Sequence, residues 1–97
     1  MSRERLLVVD DEAGVRSSLS GILRDEGYRV DVAASGEEGL EKVRATLYDL
    51  ILLDVWLPGM DGLEVLERLG QTPFAGAVVM ISGHGTIEMA VRAVKLG

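Results

Sequence analysis

Three aspartates stand where short apolar runs stop. Leu6-Leu7-Val8-Val9 runs into Asp10 and Asp11, and Leu50-Ile51-Leu52-Leu53 runs into Asp54. A hydroxyl, Ser82, closes a third run, Ala77-Val78-Val79-Met80-Ile81. Carboxylates gathered at one spot repel one another unless a cation joins them, and no basic residue adjoins these three in sequence. Mg2+ suits such a set, being a hard ion that takes one or two carboxylates and keeps several waters. The plainer reading is that Asp10 and Asp11 cap a helix and Asp54 opens a turn. The elements that position them decide between the two.

Those elements alternate along the chain. After Asp10-Asp11-Glu12, the residues Val15, Leu19, Ile22 and Leu23 recur at helical spacing, and Gly27 stands where a left-handed C-terminal cap is expected. Tyr28 to Ala33 alternates like a strand. Ser35 and Glu38 form an S-x-x-E capping box, followed by Leu40, Val43 and Leu47 at helical spacing. The loop Val55 to Gly62 leads to a short helix marked by Leu63, Leu66 and Leu69, and a turn over Gln71 to Gly76 precedes the fourth strand. Thr86 caps a last expected helix with Ile87, Ala90, Val91 and Val94. The order βαβαβαβα implies an α/β fold with a doubly wound parallel sheet. Three strands read as unbroken apolar runs, as when both faces are covered, and the second alternates like an edge strand. Strand order 2-1-3-4 satisfies all four. It also brings Asp10, Asp11 and Asp54 to the carboxyl ends of adjacent strands, where such sheets bind ligands.

Composition excludes several classes. The 97 residues allow one domain, spanning 1–97. There is no cysteine, which removes disulfides, cysteine–zinc sites and thiol nucleophiles, and one histidine, His84, cannot make a histidine-rich metal site. Ten Lys+Arg against sixteen Asp+Glu leave a net charge of −6, which disfavours direct nucleic-acid binding. No run is long enough to span a bilayer and no signal peptide is present, so a cytoplasmic protein is expected. The strings G-x-x-x-x-G-K-[ST] and G-x-G-x-x-G are absent from the phosphate-binding positions.

Val8-Val9-Asp10-Asp11-Glu12, Leu52-Leu53-Asp54-Val55, Leu57-Pro58-Gly59-Met60-Asp61-Gly62 and Ile81-Ser82-Gly83-His84 resemble the receiver domain of two-component response regulators, most closely the NtrC/NtrX type. The resemblance covers the whole chain and implies the flavodoxin-like fold. It implies that Asp54 is the phospho-acceptor, taking a phosphoryl group from a phosphohistidine of a sensor histidine kinase. It further implies that Asp11 and Asp54 ligate Mg2+ directly, that Asp10 acts mostly through a bound water, and that the backbone carbonyl of Trp56 completes the protein ligands. Ser82 would contact the phosphoryl group and move toward it on activation. Self-catalysed phosphotransfer and dephosphorylation would be the whole of its chemistry. In this group the receiver usually precedes an output part, a sigma-54-activating ATPase with a DNA-binding domain.

Read against the family, the chain stops before the fifth strand and fifth helix, which would carry a lysine and an aromatic switch residue. Lys42 and Lys95 fall on expected helices away from the rim and are no replacement. An uncovered fourth strand then makes a homodimer the expected assembly. Two other readings remain at this stage. One is a phosphorylation-independent interaction module. The other is an aspartate-based phosphatase, which would need D-x-D where this chain has Asp54-Val55-Trp56.

Overall fold

The computed structural model describes residues 4–81. Seven elements follow one another: β1 (Arg5–Val9), α1 (Ala13–Asp25), β2 (Arg29–Ala33), α2 (Gly36–Ala45), β3 (Leu50–Asp54), α3 (Gly62–Leu69) and β4 (Ala77–Ile81). The strands form one sheet in the order β2-β1-β3-β4. Every pairing is parallel, with Val9 beside Ala33 on one side and beside Leu53 on the other. The fold class and the strand order expected from the sequence are therefore observed. The expected last helix lies outside the described residues.

Alternation within the apolar runs builds two cores, one on each face of the sheet. Leu7, Val9, Ile51 and Leu53 point to one side, where Leu40 and Val43 of α2 and Val65 and Leu69 of α3 cover them. Leu6, Val8, Leu50 and Leu52 point to the other, under Leu19 and Leu23 of α1. Leu7, Val8, Leu52 and Leu53 have no exposed surface at all. Each such side chain contributes roughly 1.5–3 kcal/mol by burial, so β1 and β3 are the rigid centre of the molecule.

Helix ends are fixed by local chemistry. Gly27 adopts φ +98°, and the amides of Gly27 and Tyr28 bond the carbonyls of Arg24 and Leu23 at 2.9 and 3.2 Å. That is the double closure that a glycine after a helix permits. Ser35 Oγ accepts from the Glu38 amide at 3.1 Å, while Glu38 Oε1 accepts from the Ala34 amide at 2.9 Å. The capping box forms, with its return bond one residue earlier than the motif prescribes.

Four expectations about buried faces are corrected. Leu47 does not extend α2, because Thr46 is extended (φ −141°, ψ 141°) and ends the helix; Leu47 is 87% exposed. In α3 the buried pair is Val65 and Leu69, four apart, while Leu63 and Leu66 are exposed. Ile22 on α1 is also exposed, at the margin of the Leu19–Leu23 stripe. β4 is half-buried rather than covered on both faces, and among the described residues it pairs with β3 alone.

Candidate metal and phospho-acceptor site

β1 and β3 are neighbours running the same way, so their carboxyl ends open on one rim. Asp10 follows β1 and Asp54 ends β3, both buried, with the exposed Asp11 beside them. One carboxylate oxygen from each of the three residues lies within 4.8 Å of the others. The strand order thus does what the sequence reading required of it.

The two buried aspartates are held alike. Asp10 Oδ1 accepts from the Glu12 amide at 2.9 Å, and Asp54 Oδ1 accepts from the Trp56 amide at 3.0 Å. Each carboxylate closes a short turn onto the residue two positions on. Neither Asp10 nor Asp11 caps α1, whose N-cap is Glu12 without a side-chain bond. The capping alternative therefore leaves the convergence unexplained. Burial pushes the Asp10 carboxyl above its ordinary range, against the pull of the Glu12 amide. The negative charges of Asp54, Asp11 and Glu12 push it further the same way. The donor set is all hard oxygen, partly buried and mutually repelling, which fits Mg2+.

α3 shapes the other wall. The Asp61 side chain caps the helix by accepting from the Glu64 amide at 2.9 Å, and the Gly62 amide bonds the Val55 carbonyl at 3.1 Å. A Cβ on Gly62 would collide with the Asp54 carbonyl oxygen and stand 2.7 Å from Val55 Cα. The end of β3 and the start of α3 approach each other backbone to backbone. Trp56 is 73% exposed on this loop. Ile81, paired with Asp54, is the last described residue; Ser82, His84, Thr86 and Lys95 lie outside. Lys42 lies on α2, as expected, with its Nζ 3.9 Å from Glu38 Oε2.

One residue at this rim escaped the sequence reading. Arg16 of α1 donates from its guanidinium NH1 to the Asp10 carbonyl at 2.8 Å. The signal was faint: a cation in the first turn of a helix, the end where the helix dipole favours acids.

Residues 6–97 match the response regulator receiver domain family. The chain belongs to that family. The nitrogen assimilation regulatory protein NtrX of Azorhizobium caulinodans is 45% identical over 94 residues, covering 95% of this chain and 21% of that protein. This chain thus spans about a fifth of the NtrX relative's length. A CheY-like receiver domain protein of Methanospirillum hungatei superposes with a TM-score of 0.81 at 35% identity, over 99% of this chain and 77% of that one. The response regulator TrrA of Thermotoga maritima, solved in complex with Mg2+–BeF, gives 0.77 at 39% identity, over 81% and 69%. The chain is thus a receiver domain of two-component response regulators, and its acidic cluster is consistent with the phospho-acceptor role such domains generally have. Among the described residues no helix is long and apolar enough to cross a membrane.

Proposed function

We propose that Asp54 is the phospho-acceptor and that Asp10, Asp11 and Asp54, with the Trp56 carbonyl, form the Mg2+ site serving it. The convergence of the three carboxylates carries this reading. The Mg2+–BeF complex of the Thermotoga relative supports it. A carboxylate oxygen of Asp54 attacks phosphorus; the phosphorus–nitrogen bond of a phosphohistidine breaks, and the imidazole of the sensor kinase leaves with the bonding pair and takes up a proton. Bound Mg2+ supplies positive charge to the phosphoryl oxygens. The Trp56 amide and the close backbone approach at Gly62 fix the Asp54 side chain and its strand end. Ser82 is assigned to the phosphoryl contact and switch. Water reverses the modification, so the chemistry is self-catalysed transfer and hydrolysis.

The partners belong to the same proposal. A sensor histidine kinase supplies the phosphoryl group, in the cytoplasm. The length of the NtrX relative supports an output part in a longer parent protein; the output part proposed is a sigma-54-activating ATPase with a DNA-binding domain. A homodimer is part of the same proposal, and light scattering over a dilution series tests it.

Intact mass after treatment with a small phosphodonor tests the chemistry. One phosphoryl increment is expected, dependent on Mg2+ and absent in Asp54→Asn. An increment that survives Asp54→Asn, or that forms equally well without Mg2+, would overturn the assignment.

A further inference from the structure

We infer that Arg16 is a positioning residue for the metal site, holding the Asp10–Glu12 turn in the shape that lets the carboxylates converge. The inference rests on the Mg2+ reading above and assigns a part in it to a residue on the next element.

Arg16 is the fourth residue of α1, and side chains on a helix lean toward its N-terminus. That lean carries the guanidinium back over the turn between β1 and α1. There it finds the carbonyl of Asp10, at 2.8 Å. Asp10 is 2% exposed, so its backbone groups require partners within the protein. Its amide bonds the Ala33 carbonyl of β2 at 3.1 Å, and its Oδ1 receives the Glu12 amide at 2.9 Å. The carbonyl has left the strand ladder, and Arg16 bonds it. Asp10 is thus fixed through β2, through its own turn and through α1.

Placement argues for a role beyond solubility. The helix dipole disfavours a cation in the first turn by roughly 0.3–1 kcal/mol, and α1 has no acidic residue there. The half-buried Arg16 therefore occupies a position the helix itself does not reward. The reward lies at the rim: a charged donor fixes the peptide joining Asp10 to Asp11, and that peptide sets where both carboxylates stand. Groups that orient metal ligands commonly matter by about 10–100-fold in affinity.

The test follows backbone amide resonances of Glu12 and Trp56 during Mg2+ titration of the metal-free chain, beside metal-free denaturation. Arg16→Met keeps the apolar stem and removes every donor; Arg16→Gln is a second loss variant, too short to reach the carbonyl. Either is expected to weaken Mg2+ binding by about 10–100-fold and to shift the Glu12 amide before Mg2+ is added. Arg16→Lys, which restores a long charged donor, should recover most of the affinity.

Wild-type affinity in a folded loss variant would overturn the inference, whatever happened to stability. So would Arg16→Lys binding as weakly as Arg16→Met, or a chain that does not fold in either loss variant, which would assign Arg16 to folding alone. If the wild type shows no Mg2+-dependent shift, or Asp11→Asn retains it, the Mg2+ reading itself fails, and this inference with it. If those controls behave and Arg16→Met binds normally, this inference alone fails.

Discussion

Asp10 is buried among like charges, and the fold bears that cost for the sake of the site. Its carboxyl lies above the ordinary value of 3.8 because burial, Asp54, Asp11 and Glu12 all disfavour the charged form. The native state thus holds this proton more tightly than the unfolded chain does. The resulting stabilisation is complete below pH 3.8 and is lost as pH rises through the raised native value. At neutral pH the metal-free protein carries the strain. Asp10→Asn keeps an oxygen for the Glu12 amide and removes the charge. It should raise metal-free stability at pH 7 by about 0.5–2 kcal/mol, as relief of functional-site strain commonly does. Denaturation across a pH series should show the gain shrinking toward acid, as the wild-type carboxyl protonates. The same variant should lose its response to Mg2+. A gain independent of pH would mean that charge is not its source. The convergence of the three carboxylates follows from residue type and strand order, which is why it could be read from the sequence. The bond from Arg16 to the Asp10 carbonyl could not, because it depends on the direction a side chain takes from a helix and not on any pattern of types.

Between elements, two contacts hold the rim and the base of the sheet. At the rim, Gly62 lets α3 rest on the Asp54–Val55 backbone. Gly62→Ala must push main chain away from main chain, so it should destabilise by about 1–3 kcal/mol. It should also slow Asp54 phosphorylation more than that loss of stability explains, measured as initial rate at a temperature where the variant remains folded. An unchanged rate would show that the acceptor strand tolerates displacement. At the base, Tyr48 donates to Asp31 Oδ2 at 2.6 Å, and Arg5 NH1 stands 3.6 Å from the same oxygen. Burial, then the Asp31 hydrogen bond and charge, push the Tyr48 hydroxyl up from 10.0 to about 12. Its contribution is complete below pH 10 and is lost as pH rises through about 12. Tyr48→Phe should cost about 1.5–3 kcal/mol, the usual worth of a hydrogen bond to a charged group. Ultraviolet titration should show the late-ionising tyrosine disappear in that variant.

The same scale shows where the sequence misled. Leu63, Leu66 and Leu69 offer a tidy helical stripe, yet α3 packs by the face that holds Gly62, Val65 and Leu69. Leu47 continued a spacing that Thr46 had already ended. The Tyr48–Asp31 bond joins residues 17 apart, one in the loop between α2 and β3 and one on β2, and no local pattern announces it.

For the molecule as a whole, the site and the fold are one thermodynamic system. A cation that binds the converged carboxylates of the native state finds no such cluster in the unfolded chain. On the proposed assignment, Mg2+ is expected to stabilise the fold by mass action, by about 1.4 kcal/mol at ten times its dissociation constant. For a domain near 100 residues, each kcal/mol moves the melting midpoint by roughly 4–8 °C, giving a rise of about 6–11 °C. The net charge of −6 introduces a second effect, because any salt screens the repulsion among carboxylates. The two separate cleanly when calorimetric melts are compared at equal ionic strength with Na+ replacing Mg2+. Specific binding predicts a rise that scales with the logarithm of Mg2+ concentration and vanishes in Asp11→Asn. That variant changes an exposed side chain and leaves both cores intact. If Na+ reproduces the rise, or Asp11→Asn keeps it, the stabilisation is general screening, and the three aspartates are a cluster of acids without a resident cation.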